Sequence, residues 1–451
     1  MTERRWVSAP LSVDVPDDAP PTPVSVRLDL RELLADAGVD GAADARSLRL
    51  YDADGERVPV QFTPVPQEPH PESTRPEGTP GSVCWAAEWP VDEVPASVTQ
   101  AGTLTWLAGG EECRLAVAAP ESGTVVQPPY DPHAPTWVDA DGRPSDPAAP
   151  DRLTVAPQTD RTGEVTVAER GAERFTYHLG PADLPAESPA RPFAYPLFGP
   201  DGVRVTGRGK PHDPTGSHDH HTSLWAGHRD VGGVNFWEER GDGVIRHERL
   251  DAEQGPVFAR LAQETTWTTP ARALLRGRHV FTAYATLDGA AVLDVALELE
   301  PAGEERVTLG AAPFGPLGVR VAPSLSVFDG GGEIRTGEGA VNEHGAHRTR
   351  AAWLDCSGPT HAGRRGVAVL DHPDNPRHPT PWHCRNDGWA GASLTMHDPL
   401  AVAADDPLSL RYRVVVHRGD AEAGDASGHY RAFAAEKGVE VGSPTTRRRP
   451  A

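Results

Sequence analysis

The stretch at residues 273–302, ALLRGRHVFTAYATLDGAAVLDVALELEPA, decides the fold class of this chain. On both sides of Gly289, apolar residues alternate with polar ones, which is the pattern of strands that bury one face. Similar runs, punctuated by Gly and Pro, continue from residue 152 almost to the end of the sequence. They predict a large antiparallel β-sandwich over residues 152–436, because two packed sheets would hide so many strand edges. Only SGHYRAFAAEKG, residues 427–438, predicts a short C-terminal helix.

The first part of the chain has the same β character on a smaller scale. Alternating runs over residues 1–120 predict a small immunoglobulin-like β-sandwich domain, in which LDLRELLADAGV adds one short helix. Residues 121–151 are rich in Pro and Asp, which resist regular structure, so we expect an interdomain linker there. Residues 437–451 are predicted to be a tail. The sequence therefore predicts an all-β protein of two domains.

The charge balance excludes two classes of partner. With 43 Lys and Arg against 65 Asp and Glu, the net charge of −22 disfavours nucleic acid and anionic membrane surfaces. The N-terminal MTERRWVSAPLSV lacks the apolar segment of a secretory signal, and no run of 18 apolar residues occurs. Four cysteines without Cys-x-x-Cys spacing are expected to be reduced. The prediction is a cytoplasmic protein with no membrane partner.

Residues 217–239, SHDHHTSLWAGHRDVGGVNFWEE, carry the densest chemistry in the sequence. Counted from His212, five histidines fall within seventeen residues. On an extended backbone His218 and His220 point to the same face, which is one way to present two imidazoles to a metal ion. One hypothesis is therefore a divalent metal cofactor held by His218, His220 and a third ligand such as Glu238, Glu239, His247 or His344.

A second hypothesis for this stretch is acid–base catalysis on a sugar. Histidine titrates near neutrality, so an imidazole can take or give a proton without a large change of environment. His220 or His221 is the candidate base, Glu238 the candidate carboxylate that places the substrate, and His218 a further catalytic candidate. All four residues stand in one short segment, which favours a common site.

Two tryptophans of the same stretch extend the sugar hypothesis. Trp225 and Trp237 offer flat apolar faces on which the C–H face of a pyranose packs. In the third hypothesis the histidines form a hydrogen-bonded brace and both tryptophans are core residues. The sequence leaves these alternatives open.

A second polar cluster, DHPDNPRHPTPWHCR, spans residues 371–385. Four prolines in fifteen residues predict a semi-rigid loop that holds its side chains in fixed directions. The candidate substrate-binding residues in it are His372, Asn375, Trp382, His383 and Arg385. Residues 212–238 and 371–385 are predicted to line one site together. The alternative is a well-packed surface loop.

Several segments occur in an order that resembles a known family. They are RPFAYPLFGPDGVRVTG, HDHHTSLWAGHRDVGGVNFWEE, PFGPLGVRVA, AAWLDCSG and AVLDHPDNPRHPTPWHCR. Over residues 170–420 the chain resembles the soluble PmoA-like domain family, which is often labelled "methane oxygenase". The domain at residues 1–120 resembles one that commonly precedes this family. Since such domains tend to be encoded beside sugar dehydrogenases, the resemblance implies carbohydrate catabolism.

Taken together, residues and resemblance predict a carbohydrate-active enzyme. A lyase, hydrolase or epimerase that uses His and Glu for acid–base chemistry fits best, with a sugar or keto-sugar derivative as substrate. A keto group acidifies the neighbouring C–H, which makes proton abstraction by a side chain feasible. The alternatives are a non-catalytic carbohydrate-binding protein and a metal-dependent oxygenase, which commonly needs two His and one carboxylate as ligands.

Overall fold

The structure is a computed structural model. It describes residues 5–16, 20–41, 43–64, 88–90, 101–109, 112–119, 124–126, 153–157, 163–180, 190–213, 218–239, 242–286, 289–435 and 437–447. The predicted linker, residues 121–151, lies outside these residues except for one short strand at Thr124–Val126. The chain divides into an N-terminal unit, residues 1–153, 253–258 and 435–451, and a main unit, residues 154–252 and 259–434.

Strands dominate the described part of the chain. The first are β1 (Arg5–Val13), β2 (Thr22–Asp29), β3 (Asp44–Asp52), β4 (Arg57–Val58), β5 (Val60–Pro64), β6 (Glu88–Pro90), β7 (Ala101–Ala108), β8 (Glu112–Ala119) and β9 (Thr124–Val126). The next are β10 (Leu153–Pro157), β11 (Glu164–Glu169), β12 (Ala172–His178), β13 (Phe193–Leu197), β14 (Leu224–Ala226), β15 (Val244–Glu253), β16 (Phe258–Thr268), β17 (Ala273–Tyr284), β18 (Ala291–Pro301) and β19 (Val307–Leu309). The last are β20 (Leu317–Arg320), β21 (Glu333–Thr336), β22 (Trp353–Thr360), β23 (Gly363–Asp371), β24 (Trp382–Arg385), β25 (Trp389–Ala392), β26 (Leu400–Val402), β27 (Leu408–Arg418), β28 (Val439–Val441) and β29 (Thr445–Arg447). The helices are α1 (Leu30–Asp36), α2 (Val327–Gly330), α3 (Asn342–Ala346) and α4 (Ala426–Ala434), with a 3-10 turn at Pro323–Leu325.

The N-terminal unit is a small β-sandwich. One sheet has the order β28-β1-β8-β3-β4, with β29 also paired to β1, and another has the order β2-β7-β5. Both sheets contribute to a single core, in which Leu11 and Leu115 pack with Val24, Trp106 and the helical Leu34. Burial of one face by each strand is what the sequence alternation predicts.

The C-terminal residues return to this sandwich. Residues 437–451 are predicted as a tail, but β28 and β29 lie within them and pair with β1, with Leu11 opposite Val441 and Trp6 opposite Arg447. Each segment is only three residues long and largely exposed, which is too short for a period-two pattern to predict a strand. Pairing with β1 supplies the hydrogen bonds that hold them.

The main unit is a larger β-sandwich of two eight-stranded sheets. Their orders are β10-β11-β12-β13-β14-β20-β25-β24 and β15-β16-β17-β18-β27-β23-β22-β21. Tyr177 of the first sheet joins the second, since its hydroxyl donates to Gln263 Oε1 at 2.7 Å and its ring lies 4.8 Å from that of Phe281. The alternating stretch at residues 273–302 forms β17 and β18, which pair antiparallel from Leu275 opposite Pro301 to Ala283 opposite Leu293.

These findings confirm the predicted fold class, an all-β protein of packed antiparallel sheets with a short C-terminal helix. Helix α4 packs Ala426 and Phe433 on Leu370 and Val415 of the second sheet. The predicted short helix of the N-terminal unit is α1, whose first turn is capped by Asp29. No helix in the described ranges is long and apolar enough to cross a membrane.

Candidate functional site

Nine aromatic and imidazole rings of the main unit form one connected group, which we call the His–Trp cluster. Its members are His218, His220, His221, Trp225, Trp237, Phe314, His347, His383 and Trp389. Segments far apart in sequence meet here because β14, β20, β25 and β24 are neighbours at one end of the first sheet. The His-rich stretch and the end of the Pro-rich loop, which the sequence predicts to line one site, therefore lie together.

Two glycines make room for the rings. Across the four strands, Trp225 is opposite Gly318, Gly318 is opposite Gly391, and Gly391 is opposite His383. A Cβ atom on Gly318 would lie 2.7 Å from Trp225 Cζ2, and one on Gly391 would lie 2.3 Å from Trp389 Cζ3. Real Cβ atoms do not approach this closely, so glycine at these positions allows the indoles to lie flat across the strands.

Replacing Gly318 with Ala tests this packing. The added methyl group would overlap Trp225 and also Trp237, both fully buried, so we expect a loss of about 1–3 kcal/mol in the free energy of unfolding. Chemical denaturation followed by tryptophan fluorescence measures it. Gly303→Ala is the matched control, since a Cβ there meets nothing within 4 Å. Equal stability of both variants would contradict the packing described.

The imidazoles link the tryptophans to one another. The His221 ring lies 5.7 Å from those of Trp225 and Trp389, and His383 lies 4.9 Å from Trp389. Trp225 and Trp237 are 0% and 1% exposed, and their faces contact other rings. They pack as the core residues of the third sequence hypothesis, rather than with an open face toward solvent.

His218 differs from its neighbours in having a carboxylate partner at hydrogen-bond distance. Its Nδ1 lies 2.7 Å from Asp213 Oδ2, and the His218 side chain is 33% exposed whereas that of Asp213 is 10% exposed. A carboxylate at Nδ1 keeps the proton on that nitrogen, which makes Nε2 the basic one. This is the arrangement of a base and the group that orients it.

The other imidazoles of the cluster are held neutral. Burial, with the positive charge of Arg191 acting in the same direction, lowers the pKa of His220 to about 4. Burial likewise lowers the pKa of His383 to about 4, and that of His221 is lowered further, mainly by burial and also by the charge of Arg320. Neutral imidazoles can donate or accept hydrogen bonds, but a group with a pKa near 4 is a weak base at neutral pH.

The carboxylate next in sequence to Glu238 is the one that enters the site. Glu238 is half exposed and lies 3.7 Å from Arg229. Glu239 Oε1 accepts from Arg191 Nη2 at 2.8 Å, and its Oε2 accepts from the Ala190 amide at 2.7 Å. Arg191 also donates to the His220 carbonyl at 2.9 Å, so the Arg191–Glu239 pair holds the His-rich stretch in place.

The predicted metal set does not form. Among the residues that the structure describes, no group of three or more His, Cys, Asp or Glu side chains is placed to hold a metal ion. His218 is oriented by Asp213 at 2.7 Å, and Glu238 pairs with Arg229 at 3.7 Å. The set His218, His220 and Glu238 therefore does not fit a shared cation, and we derive no step through one.

The Pro-rich loop divides between the cluster and a structural brace. His383 is part of the cluster, and Arg385 lies beside it, half exposed and paired with Glu343 at 2.9 Å. Trp382 is buried and donates from Nε1 to the Ala351 carbonyl at 2.9 Å. His372 accepts from the Asp374 amide at 3.1 Å, and its ring contacts Phe433 of α4.

Asn375 belongs to the brace. Its Nδ2 donates to Asp371 Oδ1 and to the Arg411 carbonyl, both at 2.7 Å, and its Oδ1 accepts from the Arg411 amide at 2.7 Å. Asn375→Ala removes three hydrogen bonds and leaves the buried Asp371 with fewer donors. We expect a loss of about 2–4 kcal/mol in thermal or denaturant unfolding, with ligand affinity unchanged. Unchanged stability with lost ligand binding would instead return Asn375 to the site.

Sequence reasoning missed several residues that the fold brings to the cluster. They are Arg191, Asp213, Phe314, Arg320 and Trp389. Arg191 and Trp389 stand far from the His-rich stretch in sequence, and only the strand order brings them near it. The Asp-x-x-x-x-His spacing of Asp213 and His218 was the one local signal available.

Comparison with known proteins gives one family. Residues 164–431 match the family described as "Family of unknown function (DUF6807)". Comparison with curated proteins finds no match. The matched segment contains every member of the His–Trp cluster.

Proposed function

We propose that this chain, which belongs to the DUF6807 family, is a carbohydrate-active enzyme that moves a proton at a carbon beside a carbonyl group. Its substrate is a sugar derivative that carries a carbonyl group, such as a keto-sugar. Of the predicted reaction classes, elimination by a lyase and epimerisation both begin with this proton transfer, whereas hydrolysis does not. The observation that carries the proposal is the Asp213–His218 pair beside neutral imidazoles and a buried guanidinium. Carbohydrate as the substrate class rests on the motif order, which resembles that of the soluble PmoA-like family.

His218 is the base in this proposal, in place of His220 or His221. His218 is partly accessible and oriented by a carboxylate, whereas His220 and His221 are buried and their pKa values are lowered. Its Nε2 takes the proton from the C–H, and the electron pair of that bond forms the C=C bond of an enolate as the carbonyl oxygen takes the negative charge. Return of the proton to the opposite face gives the epimer, and loss of a β-substituent gives the unsaturated product.

The proposal is tested by offering the purified chain a panel of glucosides and their 3-keto derivatives. Binding is measured by calorimetry, and turnover is measured by proton NMR. We expect turnover of keto derivatives and none of the parent glucosides, whose C–H bonds are not acidified. Binding across the panel without turnover would support the alternative of a non-catalytic carbohydrate-binding protein and contradict the enzyme.

A further inference from the structure

Buried polar atoms without a hydrogen-bond partner concentrate around the His–Trp cluster. Among the described residues there are eleven such side-chain atoms, and seven of them belong to this neighbourhood. The seven are Arg191 Nε, Arg191 Nη1, His221 Nδ1, Thr222 Oγ1, Trp225 Nε1, Trp237 Nε1 and Arg320 Nη2. Native proteins pair nearly all buried polar groups, so a local concentration of unpaired ones points to a ligand that completes them.

The unpaired atoms have a common chemical character. The guanidinium and indole nitrogens, five of the seven atoms, are donors that cannot accept a hydrogen bond. Their complement must therefore be rich in acceptors. Glu239 and Asp387 each accept from one of these guanidinium groups, so the complement has to bond to the N–H groups that remain. An anionic acceptor forms the strongest hydrogen bonds with such groups.

Arg191 supplies two of the unpaired donors. It is 0% exposed, and its Nη2 is used by the His220 carbonyl and Glu239, which leaves the donors on Nε and Nη1 unpaired. Its side chain lies against the cluster, since a Cβ on Gly227 would be 3.5 Å from both Arg191 Cδ and Trp237 Cε3. The planar guanidinium of a buried arginine with two unpaired donors matches the geometry of a planar acceptor such as a carboxylate.

Arg320 supplies another of the unpaired donors. Its Nη1 donates to Asp387 Oδ1 at 3.0 Å, while its Nη2 is buried without a partner. Its backbone amide donates to the Ser223 carbonyl at 2.6 Å, which fixes it beside the strand that carries Trp225. Burial is the main cause of the lowered pKa of His221, and the charges of Arg320 and Arg191 act in the same direction, as expected if both lie near that imidazole.

We infer that Arg191, assisted by Arg320 and the buried indole N–H groups, binds the carboxylate of an acidic sugar. The substrate class is then a sugar acid such as a uronate or its keto derivative. The sugar part of this inference rests on the proposed function. The planar guanidinium matches a carboxylate with paired, charge-assisted hydrogen bonds, which a neutral hydroxyl cannot form. Neutralising the carboxylate also makes the adjacent C–H easier to deprotonate.

The experiment compares the affinity of the full chain for D-glucuronate, D-glucose and inorganic sulfate by calorimetry. We expect glucuronate to bind about 10- to 100-fold more tightly than glucose, as two charge-assisted hydrogen bonds allow. Affinities for glucuronate and glucose within twofold of each other would overturn the inference. Sulfate binding with no glucuronate binding would also overturn it, because the site would then select a different anion.

Arg191→Lys, which keeps the charge but loses the planar fork, should remove most of the preference for glucuronate. Arg278→Lys is the matched control, since Arg278 is 48% exposed and paired at 3.6 Å with Glu298. If Arg191→Lys does not fold, the comparison of ligands on the unaltered chain still decides. Turnover of neutral keto-glucosides without a preference for the acid would reject the carboxylate site and leave the proposed function standing. Preferential binding of glucuronate without any turnover would support the carboxylate site and contradict the proposed enzymatic function.

Discussion

Replacing His218 with Gln is expected to lower turnover of the proposed substrate by about 10²–10⁴-fold, the usual contribution of a general base. Gln keeps a polar side chain of similar reach but cannot take a proton at neutral pH. The Asp213 contact orients the imidazole, so Asp213→Asn should lower turnover in the same direction. Both effects should appear in the rate of the bound complex, kcat, measured at saturating substrate.

The matched control is His397→Gln, because His397 is an exposed histidine outside the cluster. It should leave turnover unchanged. Calorimetry of the His218→Gln variant should still detect the ligand, because His218 acts on the C–H and does not anchor the sugar. Full turnover by His218→Gln would sink the assignment of the base, and lost binding with unchanged kcat would make His218 a binding residue.

The second large effect is on stability: acidification from pH 6.5 to 4 should remove much of the stability of the main unit. Burial lowers the pKa values of His228, His279 and His429 to about 4 each, from about 6.5 in an unfolded chain. Above its unfolded pKa, a histidine whose pKa is lowered by folding is neutral in both the folded and the unfolded chain, so it does not reduce stability there. As the pH falls below 6.5, the unfolded chain takes up a proton that the folded one refuses, so stability is lost.

Each of these histidines contributes up to about 3 kcal/mol to the loss, and the three together approach the whole stability of an ordinary domain, about 5–15 kcal/mol. The geometry of His228 shows why it stays neutral. Its Nδ1 accepts from the Asp230 amide at 3.0 Å, and a proton on that nitrogen would break the bond.

Denaturant unfolding at a series of pH values measures the effect. His279→Gln should flatten the profile between pH 6.5 and 4, because Gln cannot take up the proton that the buried imidazole refuses. His417 acts in the opposite sense. Burial opposes its charge, but the charge of Asp355 and a hydrogen bond at 2.7 Å outweigh burial and raise its pKa. Its contribution is present at low pH and is lost as the pH rises through that raised pKa. A stability that stays constant from pH 6.5 to 4 would contradict the burial described.

The fold class could be predicted because alternation is a local property of strands. In a run such as residues 273–284, the alternation of apolar and polar residues indicates which face of the strand is buried, and Gly and Pro mark where the strand ends. Strand order is not local. Nothing in the sequence indicates that β14, β20, β25 and β24 are neighbours, or that β28 and β29 pair with β1.

The same limit explains the site. His218, His220, His221 and His383 could be singled out by residue type and crowding, and the structure brings them together. Burial could not be read from the sequence, which therefore left open whether Trp225 and Trp237 bind a substrate or pack in the core.

Partners from distant segments were equally out of reach of the sequence. The pairing of Arg191 with Glu239 joins positions 48 residues apart, and no periodicity marks such a contact. Glu238 was predicted as the site carboxylate in place of Glu239, because the two residues are adjacent in the same short motif.

Deuterium exchange at the carbon beside the carbonyl tests the central claim most directly. The chain and its His218→Gln variant are each incubated in D2O with a 3-keto-glucoside and with a keto-uronate, and the C–H signals are followed by proton NMR. We expect exchange of that C–H by the unaltered chain and at least a hundredfold slower exchange by the variant, the low end of what a general base contributes. Exchange at the same rate in both, or turnover without any exchange, would contradict it.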